Sequence, residues 1–378
     1  MRFSDIIGQQ DVKKHLVEMI NLNRLSHALL FTGKEGVGAL PLAIAFSQYI
    51  MCESPAEYDS CGVCAACKKA SDLVHPDIHY SYPVIPKKPG DKPVSTDYIS
   101  EWREFIAQYA YGNAYDWLQF IGAENRQGNI TAQECNDIIH KLSLKSFESD
   151  YKVLVMWMPE YLEKEGNKLL KLIEEPPANT IFLLVAENES MVLPTIVSRT
   201  QLVRVPPIAV EAIEEQLILK SKITRDQARQ IASVSNGNYR ESLQMLQQAG
   251  EDWQSLLRDW LNAIMKSGPV AQVKWIEEMS RHGREKQKQF LRYFNHLLAQ
   301  AIKLQVLGGV EFPLPENERD FALRLNKMAG IEQQRAMIDE LDKASFYIER
   351  NANAKMLFHA LTIRLYHIIA DKSLILTT

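Results

Sequence analysis

The sequence predicts an α/β fold, a parallel sheet flanked by helices, followed by a small helical unit and an all-α region. Three observations support this fold class. Short apolar segments alternate with helical patterns over roughly the first 200 residues, which is typical of a parallel sheet. A glycine-rich turn follows the first apolar segment. From about residue 252 onward, only helical spacing of apolar residues remains.

The strands of the predicted sheet are short apolar runs bounded by turn residues. They are HALLFTG (27–33), YKVLVMWM (151–158), TIFLLVA (180–186) and TQLVRV (200–205). The helices predicted between them are LPLAIAFSQYIMC (40–52), which follows the glycine turn, and LEKEGNKLLKLIEE, which Pro176 and Pro177 terminate.

Helical segments follow Pro206 and Pro207. Residues 208–249 contain three helical pieces, of which the last two end on glycine, a common helix C-cap. Apolar stripes on 289–307 (Phe290, Phe294, Leu297, Leu298, Ile302) and on 353–370 (Met356, Leu357, Ala360, Leu361, Leu365, Ile368) predict the core of a helical bundle, with a minority of positions facing another subunit. The predicted domains are therefore an α/β domain (1–206), a small helical domain (207–251) and a helical oligomerisation domain (252–378).

One segment fits neither a central strand nor a continuous helix. YSYPVIPKKPGDKPVSTDY (80–98) contains prolines at 83, 86, 89 and 93 and lysines at 87, 88 and 92. We expect an extended or mobile surface loop, and the sequence assigns it no role.

Composition limits the classes of function. The chain has 378 residues and a net charge of −4, so no global positive charge indicates nucleic-acid binding, and any DNA contact must come from a local patch or from partner chains. The charged N-terminal segment lacks the apolar core of a signal peptide, and no apolar run has the length of a membrane span. We therefore expect a cytoplasmic protein with no membrane partner.

The glycine-rich turn, TGKEGVGAL (32–40), matches half of a phosphate-binding loop. Gly33, Gly36 and Gly38 occupy the glycine positions of such a loop, but Ala39 and Leu40 stand where the lysine and the hydroxyl residue belong. Loss of a charge-assisted phosphate contact typically costs about 1.5–3 kcal/mol. The next predicted strand also lacks the usual acidic residues for magnesium, since Glu160 is the only nearby carboxylate and lies slightly late. The sequence therefore predicts a nucleotide-binding fold that does not hydrolyse nucleotide.

Four of the five cysteines lie between residues 52 and 67. Cys52, Cys61, Cys64 and Cys67 have C-x8-C-x2-C-x2-C spacing, which lets four thiolates converge on one tetrahedral ion. Four thiolates leave no open position for water, so we expect a structural zinc ion. An iron–sulfur cluster, a set of unpaired cysteines and the replacement of one cysteine by His75 remain as alternatives.

Several motifs together resemble the AAA+ clamp-loader subunits of the bacterial DNA polymerase III holoenzyme. These are IIGQQDVKKHLVEMINLNRLSHALLFTGKEGVG, the cysteine module after the glycine turn, NKLLKLIEEPPANTIFLLVAEN and LPTIVSRT. The resemblance covers residues 1–75 and 130–250 well, is weak over 76–129, and is only architectural over 252–378. It implies an AAA+ module, a helical lid and a C-terminal collar.

The same resemblance implies a function. Together with the zinc module and the SRT arginine, the incomplete phosphate loop is similar to the member of that family that does not turn over ATP. Such a chain joins gamma/tau and delta subunits in a hetero-oligomeric ring, helps to load the sliding clamp onto primed DNA, and belongs to a DNA-directed DNA polymerase (nucleotidyltransferase) holoenzyme. We therefore expect no intrinsic ATPase activity.

The resemblance also assigns roles to residues. Arg199 in VSRT corresponds to an arginine finger supplied in trans to a neighbouring ATPase subunit, and Ser198 is expected to orient that turn. Thr200 departs from the usual Ser-Arg-Cys pattern. Arg240 matches a lid arginine and is expected to stabilise the lid interface rather than to contact phosphate.

One helix of the resembled region lies near the DNA. Thr131 to Glu134 has the pattern of a capping box that opens this helix. Lys141 and Lys145 could contact phosphates, but a solvated helix face is the stronger interpretation of these two lysines. Two other functions remain open for the whole chain: an active gamma/tau-like ATPase subunit of the same assembly, and a metal-dependent enzyme built on the cysteines.

Overall fold

The computed structural model describes residues 1–88, 90–123, 126–221, 223–247, 253–307, 316–349 and 352–371. The chain divides into two compact units, Met1–Gln244 and Met245–Thr378. The finer division into three domains stays a prediction. Within the described residues, no helix is both long and apolar enough to span a membrane.

The first unit contains a parallel five-stranded sheet, which confirms the predicted α/β class. The strand order is β2-β3-β4-β1-β5, with every neighbouring pair parallel. The strands are β1 (Ala28–Thr32), β2 (Ile78–Ser81), β3 (Lys152–Trp157), β4 (Thr180–Ala186) and β5 (Gln201–Arg204). The four predicted strands are confirmed, whereas β2 was missed because its sequence, IHYS, mixes polar with apolar residues.

Helices cover the sheet and build the second unit. They are α1 (Gln10–Asn21), α2 (Ala39–Met51), α3 (Ala65–Ser71), α4 (Ile99–Tyr109), α5 (Ala114–Phe120), α6 (Ala132–Ser143), α7 (Leu170–Glu174), α8 (Pro194–Val197), α9 (Val210–Lys220), α10 (Arg225–Val234), α11 (Tyr239–Gln247), α12 (Trp253–Asn262), α13 (Gly268–Ser280), α14 (Arg284–Leu307), α15 (Glu316–Met328), α16 (Ile331–Glu349) and α17 (Ala354–Ala370). Short 3₁₀ segments lie at Phe3–Asp5, Ser95–Tyr98, Pro159–Leu169 and Glu189–Met191, and a π-helical turn lies at Ala263–Ser267.

The sheet is buried on both faces because successive side chains of a strand point to opposite sides. Leu29 and Phe31 of β1 join a cluster that includes Phe46 of α2. Leu30 of the same strand joins a second cluster that includes Ile138 of α6. Helix α2, which begins directly after the glycine turn, is therefore fixed in place by the core of the sheet.

The helix predicted over LEKEGNKLLKLIEE is only partly formed. A 3₁₀ segment, Pro159–Leu169, precedes α7, and Glu163 within it has a φ of 45°. This left-handed residue interrupts the regular helical hydrogen bonds, so the α-helix proper is limited to Leu170–Glu174. Pro176 and Pro177 follow it, as expected.

The proline-rich segment 80–98 is more ordered than an extended surface loop. It begins in β2, and Val84 forms an antiparallel bridge with Asn129. Tyr82, Val84 and Tyr98 are buried. The loop prediction was wrong at both ends of the segment because these apolar side chains supply burial that the prolines alone do not indicate; Pro89 lies outside the described residues.

The core of the second unit is aromatic. Trp260 and Trp275 stack with ring centroids 4.7 Å apart, and Phe290 of α14 packs against both. On α14, the four leading residues of the predicted stripe are buried and Ile302 is half-buried.

On α17 the predicted stripe is partly wrong. Met356 is 70% exposed and Ala360 is exposed, while Phe358, outside the stripe, is buried. The buried face is rotated because Phe358 packs against Trp260 and Trp275.

Candidate functional site

The glycine-rich turn has the backbone of a phosphate-binding loop. Gly36 and Gly38 have φ values of 72° and 90°, which glycine adopts without strain. A Cβ at Gly33 would lie 2.8 Å from the carbonyl oxygen of Val205, so this position also requires glycine. Helix α2 begins at Ala39 immediately after the turn. The backbone half of the predicted loop is thus present at a helix N-terminus.

The side chains of a working nucleotide site are missing from the same turn. Ala39 and Leu40 are nearly buried in the core and offer neither a positive charge nor a hydroxyl. The carboxylate of Glu160 accepts the backbone N–H groups of Glu187 and Asn188 at 2.7 and 2.9 Å. Burial raises the pKa of Glu160. By accepting these two hydrogen bonds, Oε1 of Glu160 fixes the loop that follows β4.

An aromatic side chain fills much of the space above the turn. Tyr111, from the connection between α4 and α5, lies so close that a Cβ at Gly38 would be 2.9 Å from its ring. Its hydroxyl accepts the backbone N–H of Ile7 at 2.9 Å. Burial raises the pKa of Tyr111. The ring also packs edge-on against Tyr239, with centroids 5.1 Å apart.

The cavity that remains beside the turn is small. It has a volume of about 20 Å³ and is lined by the glycines, Tyr111 and Trp157, among others. One ordered water requires about 10–15 Å³ on this measure. The enclosed space beside the turn is therefore about that of one water molecule.

Arg240 pairs with carboxylates beside the glycine turn. Its side chain is buried, and its Nη2 donates to Oδ1 of Asp116 at 2.7 Å while its Nε donates to Oδ2 of the same carboxylate. Nη1 lies 3.9 Å from Oε2 of Glu35. Asn113 donates to that oxygen of Glu35 at 2.6 Å. Arg240 is thus paired within the chain, and its role in stabilising a lid interface stays a prediction.

Arg199 lies in the turn between α8 and β5. Its side chain is 34% exposed, and its Nε donates to Oε2 of Glu174 at 3.2 Å. Its Nη1 donates to the carbonyl oxygen of Thr195 at 3.0 Å and to Oγ of Ser198 at 3.3 Å. Ser198 itself donates to Thr195 at 3.2 Å. The guanidinium is therefore oriented by its own turn and remains accessible to solvent.

Arg199 and the glycine turn lie at opposite ends of two neighbouring parallel strands, β5 and β1. The register of β1 with β5 pairs Thr32 with Arg204, so the glycine turn follows the carboxyl end of the parallel strands. Arg199 precedes the amino end of β5, and the strand between them spans about 10 Å. The Arg199 guanidinium is bound instead to Glu174 and Thr195, at the amino end of the strand.

The four clustered cysteines converge as their spacing predicts. The Sγ atoms of Cys52, Cys61, Cys64 and Cys67 all lie within 4.8 Å of one another, and those of Cys61 and Cys67 are 3.8 Å apart. Tetrahedral coordination with Zn–S bonds of about 2.3 Å places neighbouring sulfurs about 3.8 Å apart. The cluster can therefore hold a metal ion of this kind.

Backbone groups around the cluster favour thiolates. The N–H groups of Cys61, Cys64 and Cys67 point to the sulfurs of Cys52, Cys61 and Cys64 at 3.2, 3.4 and 3.4 Å. Backbone N–H groups lower the pKa of Cys61 to about 6, while burial raises that of Cys67. His75 lies outside the four-sulfur cluster and packs near Asp77 and Ser149 instead.

Helix α6 begins differently from the predicted capping box. Thr131 accepts the backbone N–H of Glu134 at 3.1 Å, but the Glu134 carboxylate turns away and accepts the N–H of Ser95 at 2.7 Å. Only half of the box forms, because the carboxylate instead satisfies a buried donor of the proline-rich segment. Lys141 donates to Thr96 at 2.7 Å, and Lys145 is exposed.

The residues that close the turn were not found in the sequence. Glu35 lies within the glycine-rich turn itself, but Tyr111, Asn113 and Asp116 carry no nucleotide-binding motif. Asn113 and Asp116 do form a capping box at the start of α5, and that N-x-x-D pattern was a readable signal for a helix start. Nothing in it indicates that the helix packs on a phosphate turn 75 residues or more earlier in the chain.

Comparisons with known proteins identify relatives. Residues 8–209, more than half of the chain, match a family described as DNA polymerase III, delta subunit. Subunit delta' of DNA polymerase III from Bacillus subtilis (strain 168) is 28% identical over 238 residues, covering 63% of this chain and 59% of the relative. Subunit delta' from Escherichia coli (strain K12) is 25% identical over 292 residues, covering 76% and 73%. Subunit tau from Bacillus subtilis is 26% identical over 309 residues, covering 79% and 46%.

These matches are partial. The chain spans about 59% of the length of the Bacillus subtilis delta' relative. Among solved structures, a gamma subunit-related protein of DNA polymerase III from Thermotoga maritima is 15% identical, covers 94% of this chain and 98% of its own, and has a TM-score of 0.35. A superposition of that quality carries no argument about function.

Proposed function

The chain belongs to the family described as DNA polymerase III, delta subunit, and on that premise we propose that it is a non-hydrolysing subunit of a DNA polymerase III clamp loader. In this proposal it joins gamma/tau and delta subunits in a hetero-oligomeric ring in the cytoplasm. The ring loads the sliding clamp onto primed DNA. The chain supplies the ring with a structural subunit and with one side chain for a neighbouring site, and it has no catalytic site of its own.

The closed phosphate turn is the observation that carries this proposal. Tyr111 packs on Gly38, the remaining cavity is about 20 Å³, and Ala39 and Leu40 replace the two side chains that would hold phosphate and magnesium. Each feature independently opposes ATP binding. The proposal follows because an AAA+ chain without its own ATP can still act on the ATP of a neighbour.

Arg199 is the side chain that we assign to that neighbour. It is held by the carbonyl oxygen of Thr195 and by Ser198, is partly exposed, and lies at the end of the parallel strands opposite to the turn. A planar, permanently charged guanidinium suits the γ-phosphate of an adjoining subunit. Ser198 acts here as a positioning residue.

We assign a structural zinc ion to Cys52, Cys61, Cys64 and Cys67. The four sulfurs lie within 4.8 Å of one another, which supports a closed tetrahedral site. The metal would join the end of α2, which contributes Cys52, to the start of α3. It would stabilise this module without taking part in catalysis.

An active ATPase subunit is the alternative, and the similarity to subunit tau over 79% of this chain favours it. Equilibrium dialysis of the purified chain against radiolabelled ATP with magnesium separates the two functions. Non-hydrolysing function predicts no saturable binding at millimolar ATP and no phosphate release. Saturable binding with turnover by the isolated chain would establish the alternative.

A further inference from the structure

A cluster of charged side chains joins the glycine turn to the start of α11. It consists of Glu35 in the turn, Asp116 in α5 and Arg240 in α11, and we call it the ionic cluster. Asp116 receives two hydrogen bonds from one guanidinium, which is the same planar fork by which arginine binds a phosphate. The Arg240 side chain is 4% exposed, whereas that of Asp116 is 24% exposed, so the guanidinium is buried and the carboxylate faces solvent on one side.

The backbone at the start of α11 also contacts the glycine turn. Tyr239 donates its N–H to the carbonyl oxygen of Gly36 at 3.0 Å. A Cβ at Gly36 would lie 1.7 Å from Oδ1 of Asn238, so the residue before Tyr239 lies directly on the turn. Asn238 also donates to Oε1 of Glu35 at 3.4 Å. The start of α11 and the turn thus form one packed unit.

From this arrangement we propose that Asp116 is a built-in substitute for a bound phosphate. Its carboxylate occupies the fork of Arg240 beside a glycine turn and a helix N-terminus, the two features that elsewhere attract an anion. By holding Arg240, it fixes α11 on the turn without any ligand. The position of α11 is therefore set by the chain itself and does not respond to nucleotide.

The position of Asp116 supports this role over that of a simple helix cap. The carboxylate of Asp116 does accept the N–H of Asn113 at 3.2 Å, but the guanidinium of Arg240 donates to both of its oxygens at once. If Asp116 were only a helix cap, it would need neither a buried arginine nor a second carboxylate, that of Glu35, nearby. The inference does not depend on the proposed function, because it concerns only how α11 is attached.

A double-mutant cycle tests the proposal on the full chain. The variants are Asp116→Asn, Arg240→Gln and the double variant, with amide hydrogen exchange of Tyr239–Gln247 as the measurement. Asn keeps an acceptor for the N–H of Asn113, so the start of α5 is preserved. We expect each single variant to exchange on the order of 100-fold faster in α11, because each breaks the two-pronged pair between the buried guanidinium and Asp116. The double variant should be no faster than the single ones.

Two further arms keep the result interpretable. Arg240→Lys keeps the charge but loses the fork, so we expect an intermediate rate. Glu165→Gln, which removes an exposed ion pair with Lys168 in the same unit, should leave α11 unchanged.

The proposal fails on either of two outcomes. One is that the effects of Asp116→Asn and Arg240→Gln multiply in the double variant, which would mean that the two side chains act independently. The other is that inorganic pyrophosphate slows exchange of α11 in the unmodified chain, which would mean that phosphate reaches Arg240. We expect pyrophosphate to have no effect.

Discussion

Replacing Tyr111 by alanine tests whether the ring is a structural part of the phosphate turn. Truncating a fully buried aromatic residue costs about 3–5 kcal/mol, and the half-buried Tyr111 should lie at the lower end of that range. Here the loss includes the edge-on contact with Tyr239, worth about 0.5–1.5 kcal/mol, and the hydrogen bond that the hydroxyl accepts from Ile7. We therefore expect Tyr111→Ala to lower the free energy of unfolding of the first unit by about 3 kcal/mol. Tyr111→Phe should lower it by only about 1–2 kcal/mol, since it removes the hydrogen bond alone.

The assay is native-state hydrogen exchange of the β1 amides, which reports on opening of the sheet itself. Tyr115→Ala is the matched control, because Tyr115 lies four residues away in α5 and is 41% exposed. It should cost about 1 kcal/mol or less. If Tyr111→Ala costs no more than Tyr115→Ala, the ring does not pack in the turn and the closed-site argument is refuted. Neither variant should bind ATP, because Ala39 and Leu40 are unchanged.

Two further predictions concern the cysteine module and pH. Cys64→Ser removes one of four sulfurs, so zinc content measured by mass spectrometry should fall to background. The amides of Ala65–Ser71 should then exchange faster, while those of α12–α17 stay protected. Wild-type protein without zinc would contradict the assignment. Burial lowers the pKa of His79 to about 4, so the folded state disfavours its charged form, and the unfolded chain binds more protons below pH 6.5. Stability should therefore decline as the pH falls from about 6.5 to about 4. His79→Gln should flatten that part of the pH profile, and an unchanged profile would disprove the attribution.

The sequence allowed the sheet and the metal ligands to be predicted because both depend on local patterns. Three of the four predicted strands are continuous apolar runs, and buried parallel strands have that signature. The fourth, β5, lies at the edge of the sheet and has exposed Gln201 and Arg204 at its ends. The cysteines are close in the chain, so their spacing alone limits where the sulfurs can lie. Strand β2 was missed because IHYS has no such run, although it lies at the edge of the same sheet.

The closure of the glycine turn could not be predicted for the opposite reason. Tyr111, Asp116 and Arg240 are far from the turn in the chain, and each side chain is common on helices and loops. Their roles follow only from long-range packing, which places the connection between α4 and α5 above Gly38. The α17 stripe erred similarly, because aromatic packing around Trp260 selected Phe358 over Met356.

The most direct test of the proposed function is the ATPase and clamp-loading rate of a ring reconstituted with Arg199→Ala. This side chain is partly exposed, so the variant should fold, bind zinc and assemble normally. An arginine finger is worth about 10³-fold or more at the site it serves, although other sites in the ring reduce the effect on the bulk rate. Arg199→Lys should restore little, and Arg204→Ala, an exposed arginine on β5, is the matched control. We predict that Arg199→Ala depresses DNA-stimulated hydrolysis and loading while Arg204→Ala does not; unchanged hydrolysis and loading with Arg199→Ala would contradict the account.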